Sequence, residues 1–238
     1  MANFFPKYSN LLPLKVAVCG GFVVFGLVGA FAYYATPKSQ RVGYQPDQPI
    51  QFDHALHSDQ LKIDCRHCHS AVDKSPSAGV PTANTCWGCH QHAQKENPKL
   101  EPLRRAMDQT YAKYDGKPIE WVRVHKAPDY VYFDHSAHVN RGVSCQSCHG
   151  QVNQMNKVAQ AESLSMDFCL TCHRAPEKFL RPLEEVYNLD YDAEKYLTTH
   201  EIHDPKTDKR ITTQEGFGNL LKKNWSIQPK ESCTTCHR

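Results

Sequence analysis

The sequence carries little net charge: 28 lysines and arginines stand against 25 acidic residues, a formal +3. So balanced a chain offers no basic field for nucleic acid and no strong bias toward an acidic partner. A Gly-rich phosphate loop is missing, with 12 glycines in 238 residues, so a nucleotide has no backbone cradle. There is no convincing Ser/His/Asp arrangement and no βαβ pattern, which removes the usual frames for hydrolysis and for a thioredoxin-like site. Cysteine is scarce outside a single pattern, since ten of the eleven belong to it and Cys19 stands alone. That pattern is Cys-x-x-Cys-His, present five times at Cys65–His69, Cys86–His90, Cys145–His149, Cys169–His173 and Cys233–His237.

Cys-x-x-Cys-His is the attachment signature of a c-type haem. The paired thiols add across the vinyl groups of the macrocycle, which assigns Cys65, Cys68, Cys86, Cys89, Cys145, Cys148, Cys169, Cys172, Cys233 and Cys236 to covalent attachment. The histidine that follows lies beneath the iron, so His69, His90, His149, His173 and His237 are the expected proximal ligands. Structural zinc is complete with four ligands and needs no histidine after every pair. A disulfide framework gives no reason for that histidine either. The expected cofactor is five haem c. From Cys65 to the C-terminus the chain has about 35 residues per haem, too few to build a protein core around each. The porphyrins themselves are expected to form the core.

Ahead of the motifs runs Val16–Ala35, twenty residues without a charge. As a helix it spans about 30 Å, the thickness of a bilayer's hydrocarbon core. Tyr33 and Tyr34 fall at its end, where aromatic rings favour the headgroup region. Lys7 and Lys15 precede it and Lys38 and Arg41 follow, so charge barely decides the orientation. Haem attachment in bacteria takes place outside the cytoplasmic membrane, which puts the N-terminus inside and the haem domain in the periplasm. A cleavable signal peptide is the competing reading, with Ala30-Phe31-Ala32 as its site; the length of the apolar run favours a retained anchor. Gly26 and Ala30 form a small-xxx-small pair that lets another membrane helix approach. Cys19 reads as apolar packing. The expected organisation is residues 1–35 as N-terminal segment and anchor, 36–50 as a Pro-containing extended linker, and 51–238 as the haem domain.

The haem domain repeats internally. Phe52-Asp53-His54-x-x-His57 precedes motifs one and two, and Phe133-Asp134-His135-x-x-His138 precedes motifs three and four. The offset is 81 residues at the histidines, then 80 and 83 at the motifs. Repeat one covers 51–93 and repeat two 132–175, with the fifth motif alone at 233–237. A low-spin haem needs a sixth ligand, and each repeat carries two spare histidines. His54, His57, His135 and His138 are therefore the leading distal candidates. For the fifth position His125 ranks first and Met155 second, with Met166, His200 and His203 also available. His67 and His92 lie in or beside motifs and read as surface residues. Helical spacing of Leu100, Leu103, Met107, Tyr111 and Tyr114 predicts a helix after Asn97-Pro98, closed by Asp115-Gly116. Ile119–Val124 reads as a short strand. Residues 175–232 are an insert with helical character around Leu183–Tyr187.

The Phe-x-His-x-x-His element ahead of Cys-x-x-Cys-His resembles the small multihaem cytochromes of the c3 and c7 type. That resemblance implies that the first histidine ligates the haem of the next motif and the second a neighbouring haem. His54 would then serve the haem on His69, and His135 the one on His149, while His57 and His138 reach across to others. Val124-His125-x-x-Pro128-Asp129-x-Val131-x-Phe133-x-His135, Cys145-x-x-Cys148-His149-Gly150 and Met166-Asp-Phe-Cys169 are similar to the pentahaem subunit of bacterial alternative complex III. The fold class implied is a multihaem cytochrome c. It consists mostly of short α-helices and loops wrapped on haems, a c3/c7-like duplicated unit, with one N-terminal transmembrane helix.

The function implied is an electron-transfer subunit, without a catalytic site of its own, in a membrane quinol oxidoreductase. Its partners would be iron–sulfur and quinol-binding subunits, with a periplasmic carrier or terminal oxidase as acceptor. A membrane-anchored multihaem quinol dehydrogenase feeding a periplasmic reductase is the alternative. In that family the first haem follows the membrane helix closely, often with methionine after the motif histidine, whereas here Ser70 follows His69. A free enzyme with an open haem is a third class. Against it, the spare histidines outnumber the irons and no motif has lysine in the proximal place.

Overall fold

The uncharged run folds as one helix, α1, Leu12–Ala35, in the computed structural model, which describes residues 6–35 and 40–237. Residues 1–5, 36–39 and 238 lie outside the described ones, and with them the start of the expected linker. The helix begins four residues before the uncharged run. Pro13 is tolerated there because a first-turn residue has no intrahelical partner for its N–H. None of the residues of α1 is buried, and it is the one helix among those described that is long and apolar enough to cross a membrane.

The chain divides into two compact units, Met1–Val42 and Gly43–Arg238. Residues 43–50, read from sequence as linker, are thus laid onto the second unit. Gly43 N donates to the Gln160 carbonyl (2.8 Å) and Gln160 N to that of Tyr44 (3.0 Å), while Ile50 is buried.

The second unit is made of short helices and loops. Among the described residues three isolated β-bridges stand in place of any sheet. Its helices are α2 (Cys65–Cys68), α3 (Ala83–His90), α4 (Glu101–Met107), α5 (His135–Val139), α6 (Gln146–His149), α7 (Met166–Arg174), α8 (Ala193–His200), α9 (Gln214–Asn224) and α10 (Cys233–Cys236). Most begin at a side chain able to accept the free N–H groups of a first turn. Asp64 accepts from Arg66 N, Asp134 from Ala137 N, Ser165 from Phe168 N, Asp192 from Lys195 N and Thr213 from Gly216 N.

Two expected elements differ. The helix predicted through Tyr114 stops at Met107. Asp108 ends it, since its carboxylate accepts from Thr110 N (3.1 Å) and Thr110 Oγ1 (2.7 Å) and pairs with Lys95 (2.9 Å). That local turn competes with a further helical turn. Those hydrogen bonds, from Thr110 and then Lys95, hold the Asp108 carboxyl down at about 2. Ile119–Val124 forms no strand, and Trp121 N turns back to the Ile119 carbonyl (3.0 Å). The side chain of Gln48 replaces the missing strand, donating to Val122 O (2.8 Å) and accepting from Val122 N (2.9 Å).

The larger apolar cluster lies in the insert, and Val72, Val139 and Val186 form a smaller one that reaches both repeats. Leu180, Leu197, Phe217 and Leu221 form one core, with Val143, Tyr196, Ile202, Ile211, Leu220, Trp225 and Ile227 packed against it. Gly218 lets α9 touch the turn Pro176–Lys178, where a Cβ would stand 1.8 Å from the Glu177 carbonyl oxygen. Lys222 pairs with Glu177 (3.0 Å) across the same contact. Leu183–Tyr187, expected to be helical, holds a single 3-10 turn, Leu183–Glu185.

Candidate haem-iron centres

The five motif helices, α2, α3, α6, α7 and α10, bury none of their own residues. In contrast, α9 buries Phe217, Gly218 and Leu221. Leu56, Val80, Phe133 and Met166 stay exposed around the motifs. All eleven cysteines are free thiols. Burial pushes the thiols of Cys68, Cys86, Cys169 and Cys172 up, and that of Cys148 up to about 12. An apolar lining with unpaired thiols and unburied motif helices fits a macrocycle bound covalently at each motif. A structural zinc needs a convergent group of ligands. Among the described residues no three His, Cys, Asp or Glu side chains converge in that way.

The histidines carry more detail. The Nδ1 of His69 donates to the Gly79 carbonyl (2.8 Å), His90 to Ala93 (2.9 Å), and His173 to Lys230 (2.8 Å). The same holds for the spare histidines: His57 to Asp53 (2.8 Å), His135 to Pro76 (2.8 Å) and His138 to Asp134 (2.7 Å). A carbonyl can only accept, so Nδ1 must hold the proton. In the neutral ring Nε2 is then the bare nitrogen, with the orientation and tautomer a metal ligand requires. His54 differs from these, its Nδ1 buried without a hydrogen-bond partner.

Ring separations sort these histidines into pairs. Metal–nitrogen bonds of about 2 Å on either side of one ion, plus the reach from each nitrogen to its ring centre, add to about 6 Å. His57 and His90 stand 6.2 Å apart, as do His138 and His173, and His135 and His149 stand 6.5 Å apart with planes 13° from parallel. Each pair joins a spare histidine to a motif histidine. The geometry recurs between the repeats. Phe52 meets His54 edge-on at 4.8 Å and stacks on His57 at 4.4 Å. Phe133 meets His135 edge-on at 4.8 Å and stacks on His138 at 4.7 Å.

His54, His69, His125, His135 and His149 act on one another electrostatically. Burial, then the neighbouring imidazoles His125, His135, His69 and His54, holds His149 down at about 3. Burial, then His69 and His57, holds His54 at about 4. Burial lowers His138 as well. These rings stay neutral, the state in which imidazole binds a metal.

Both fifth-ligand candidates fall at the third motif. His125 lies 4.2 Å from His149, too close to stand across an iron from it. The Met155 methyl lies beside Gly150, 3.6 Å from where a Cβ would be. At the fifth motif, His237 stacks on Tyr130 at 5.8 Å, with Val131 bridged to His237 and Tyr132 N donating to the Cys236 carbonyl (2.8 Å). His200 stacks on Tyr196 at 4.0 Å on α8 and His203 contacts Asp208. What sequence reading missed is the set of carbonyls behind the rings. Two of them, Asp53 and Asp134, belong to the Phe-Asp-His repeat itself, where the aspartate also caps the turn that follows. Asp53 accepts from Leu56 N (3.0 Å) and Asp134 from Ala137 N (3.2 Å). The doubled aspartate was the available signal.

Residues 131–238 match the family model described as cytochrome c7 and related cytochrome c. Over those residues the chain is c7-like. It is also similar to a curated relative, the menaquinone reductase, multiheme cytochrome c subunit of Nitratidesulfovibrio vulgaris, at 35% identity over 139 residues. The alignment takes in 57% of this chain and 62% of that protein, so the chain spans less than two thirds of its relative's length.

Proposed function

We propose that this chain is a five-haem relay, an electron-transfer subunit anchored by α1 that exchanges electrons with a membrane quinone couple through partner subunits. The observation that carries the reading is the pairing of spare with motif histidines at 6.2–6.5 Å, with Nδ1 held on backbone carbonyls. Each bound haem would supply a one-electron iron couple. The chain's own residues supply the rest. The paired thiols of each motif would hold the macrocycle, His69, His90, His149, His173 and His237 would each supply one imidazole to an iron, and His54, His57, His135 and His138 would supply a second to four of them. Irons held by two imidazoles would exchange electrons without binding a substrate, with the protein setting distances and potentials.

The quinone couple is supported by the relative's name. Two finer readings meet it about equally: the pentahaem subunit of an alternative complex III passing electrons outward from quinol, and an anchored multihaem quinol dehydrogenase. A third direction, toward menaquinone, is the one the relative's name describes. In all of them α1 is a docking helix and not a quinone site, because Lys15 lies near its start and Tyr33 and Tyr34 at its end, with Cys19 the one titratable side chain between them. The fully exposed apolar surface of α1 and attachment chemistry outside the cytoplasmic membrane support a single pass with the haem domain in the periplasm. Purifying the native assembly from membranes, counting haems by pyridine haemochrome and identifying the co-purifying subunits tests the reading. Isolation without quinone-reactive partners, together with rapid haem reduction of the lone subunit by a quinol analogue, would overturn it.

A further inference from the structure

The two repeats are tied to each other by the same bond used twice. Ala55 N of repeat one donates to the Met155 carbonyl after motif three (3.3 Å), and Ser136 N of repeat two donates to the Ser75 carbonyl after motif one (3.3 Å). Under the offsets of 81 and 80 residues these bonds are equivalents. They are reinforced from both sides. Asn156 Nδ2 donates to Asp53 Oδ2 (2.8 Å), while Asn140 Nδ2 donates to the Asp73 carbonyl (2.9 Å) and His135 Nδ1 to Pro76 (2.8 Å). Each Phe-Asp-His turn therefore sits on the loop that follows the other repeat's first motif. Such a reciprocal exchange is what a pseudo-two-fold axis between duplicated units produces, as in an isologous dimer.

The exchange brings motifs one and three together. The side chains of Cys65 and Cys145, the first thiols of those motifs, are neighbours, and His149 stands 6.5 Å from His135 with His69 and His54 within electrostatic reach. In each repeat the second motif lies close to the first. Cys68 is within electrostatic reach of Cys89, and Cys148 of Cys172 and Cys169. His57 faces His90, and His138 faces His173. The fifth motif joins beyond the fourth. His173 donates to the Lys230 carbonyl (2.8 Å), Arg174 meets Glu231 (3.4 Å), and Cys169 lies within reach of Cys236.

We propose that the five haem sites stand in single file in the order second, first, third, fourth, fifth motif, with the first and third as a symmetric central pair. The motif order in the chain is thus not the order of the relay. The second and fifth motifs are its ends, and electrons cross between repeats only at the Cys65/Cys145 junction. This inference rests on the five-haem reading and adds the path.

The test uses the haem-loaded protein as isolated. A cryo-electron density map gives the iron positions without any substitution. The expected result is that the iron of motif one has those of motifs two and three as its nearest neighbours, and that of motif five has only motif four. An iron of motif two lying nearer to motif three than motif one does would overturn the order. A kinetic arm reads the same path. In Cys65→Ser/Cys68→Ser protein within the complex, quinol-driven reduction should split, with motif two's haem separated from the other three. The Cys86→Ser/Cys89→Ser protein should show no such split. A single undivided phase in both proteins would overturn the file. A pyridine haemochrome count below five in the unmodified protein refutes the five-haem reading itself, whereas five haems in another order refutes only this inference.

Discussion

Two regions of the second unit are held together by different means. The insert around α8 and α9 packs a conventional apolar core, with Leu180 and Leu197 each 2% exposed and Phe217 4%. The motif helices α2, α3, α6, α7 and α10 bury nothing, although they lie in the same chain. The first region resembles any small domain whose stability comes from apolar area removed from water. The second keeps Leu56, Val80, Phe133 and Met166 exposed, holds several histidine rings on backbone carbonyls, and has side-chain caps at α2 and α7. The insert core is built from protein side chains alone, and its turn Pro176–Lys178 directly follows the fourth motif.

The largest expected effect follows from withholding haem. In protein made without haem attachment, hydrogen exchange should show α2, α3, α6, α7 and α10 unprotected while the amides of α9 remain slow. Equal loss of protection in α9 would mean that the insert has no stability of its own. Next comes the insert core. Phe217→Ala should cost about 3–5 kcal/mol, the usual range for a buried aromatic, seen as a lower thermal midpoint with all haems retained. Lost haems in that variant would show that the two regions are not separable.

A ligand substitution should give the opposite pattern. His57→Ala or His138→Ala is expected to turn one haem high-spin in the visible and EPR spectra, with little change in the midpoint of insert unfolding. Unchanged low-spin spectra would break the assignment of the 6.2 Å pairs. Acid should also act on the motif region first. The ordinary histidine value is 6.5, and the fold holds His54 at about 4. As pH falls below 6.5 the unfolded chain takes up a proton that the folded one refuses, so stability present above that value is lost progressively down to about 4. Iron on the same nitrogen excludes the proton further, so in the loaded protein the loss begins below 6.5 and extends to lower pH. Loss of low-spin absorbance in acid, before α9 unfolds, is the expected titration. The smallest effect is at a cap: Asp134→Ala removes the acceptor for Ala137 N and should cost about 1 kcal/mol. Asp53→Ala should cost a similar amount, a comparison that probes the equivalence of the two repeats.

The chemistry of the chain was legible in its sequence because it is local. Five contiguous residues carry two thiols and a ligand, a Phe-Asp-His turn carries its own cap and its own carbonyl acceptor, and a charge-free run forms a helix whatever surrounds it. These features are decided by neighbours a few bonds away. Pairing was not legible in the same way. That His57 meets His90, or that Ser136 rests on Ser75, depends on chain reversals over tens of residues, for which spacing offers no ruler. The helix expected through Tyr114 ended at Asp108 because a side chain took the backbone N–H groups, and the strand expected at Ile119–Val124 met a glutamine amide instead of a second strand. The insert was the least legible segment, since its core exists only once Leu180, Leu197, Phe217 and Leu221 have converged from three separate stretches. Local bonding thus shaped each motif and turn, and long-range packing decided which side chains meet.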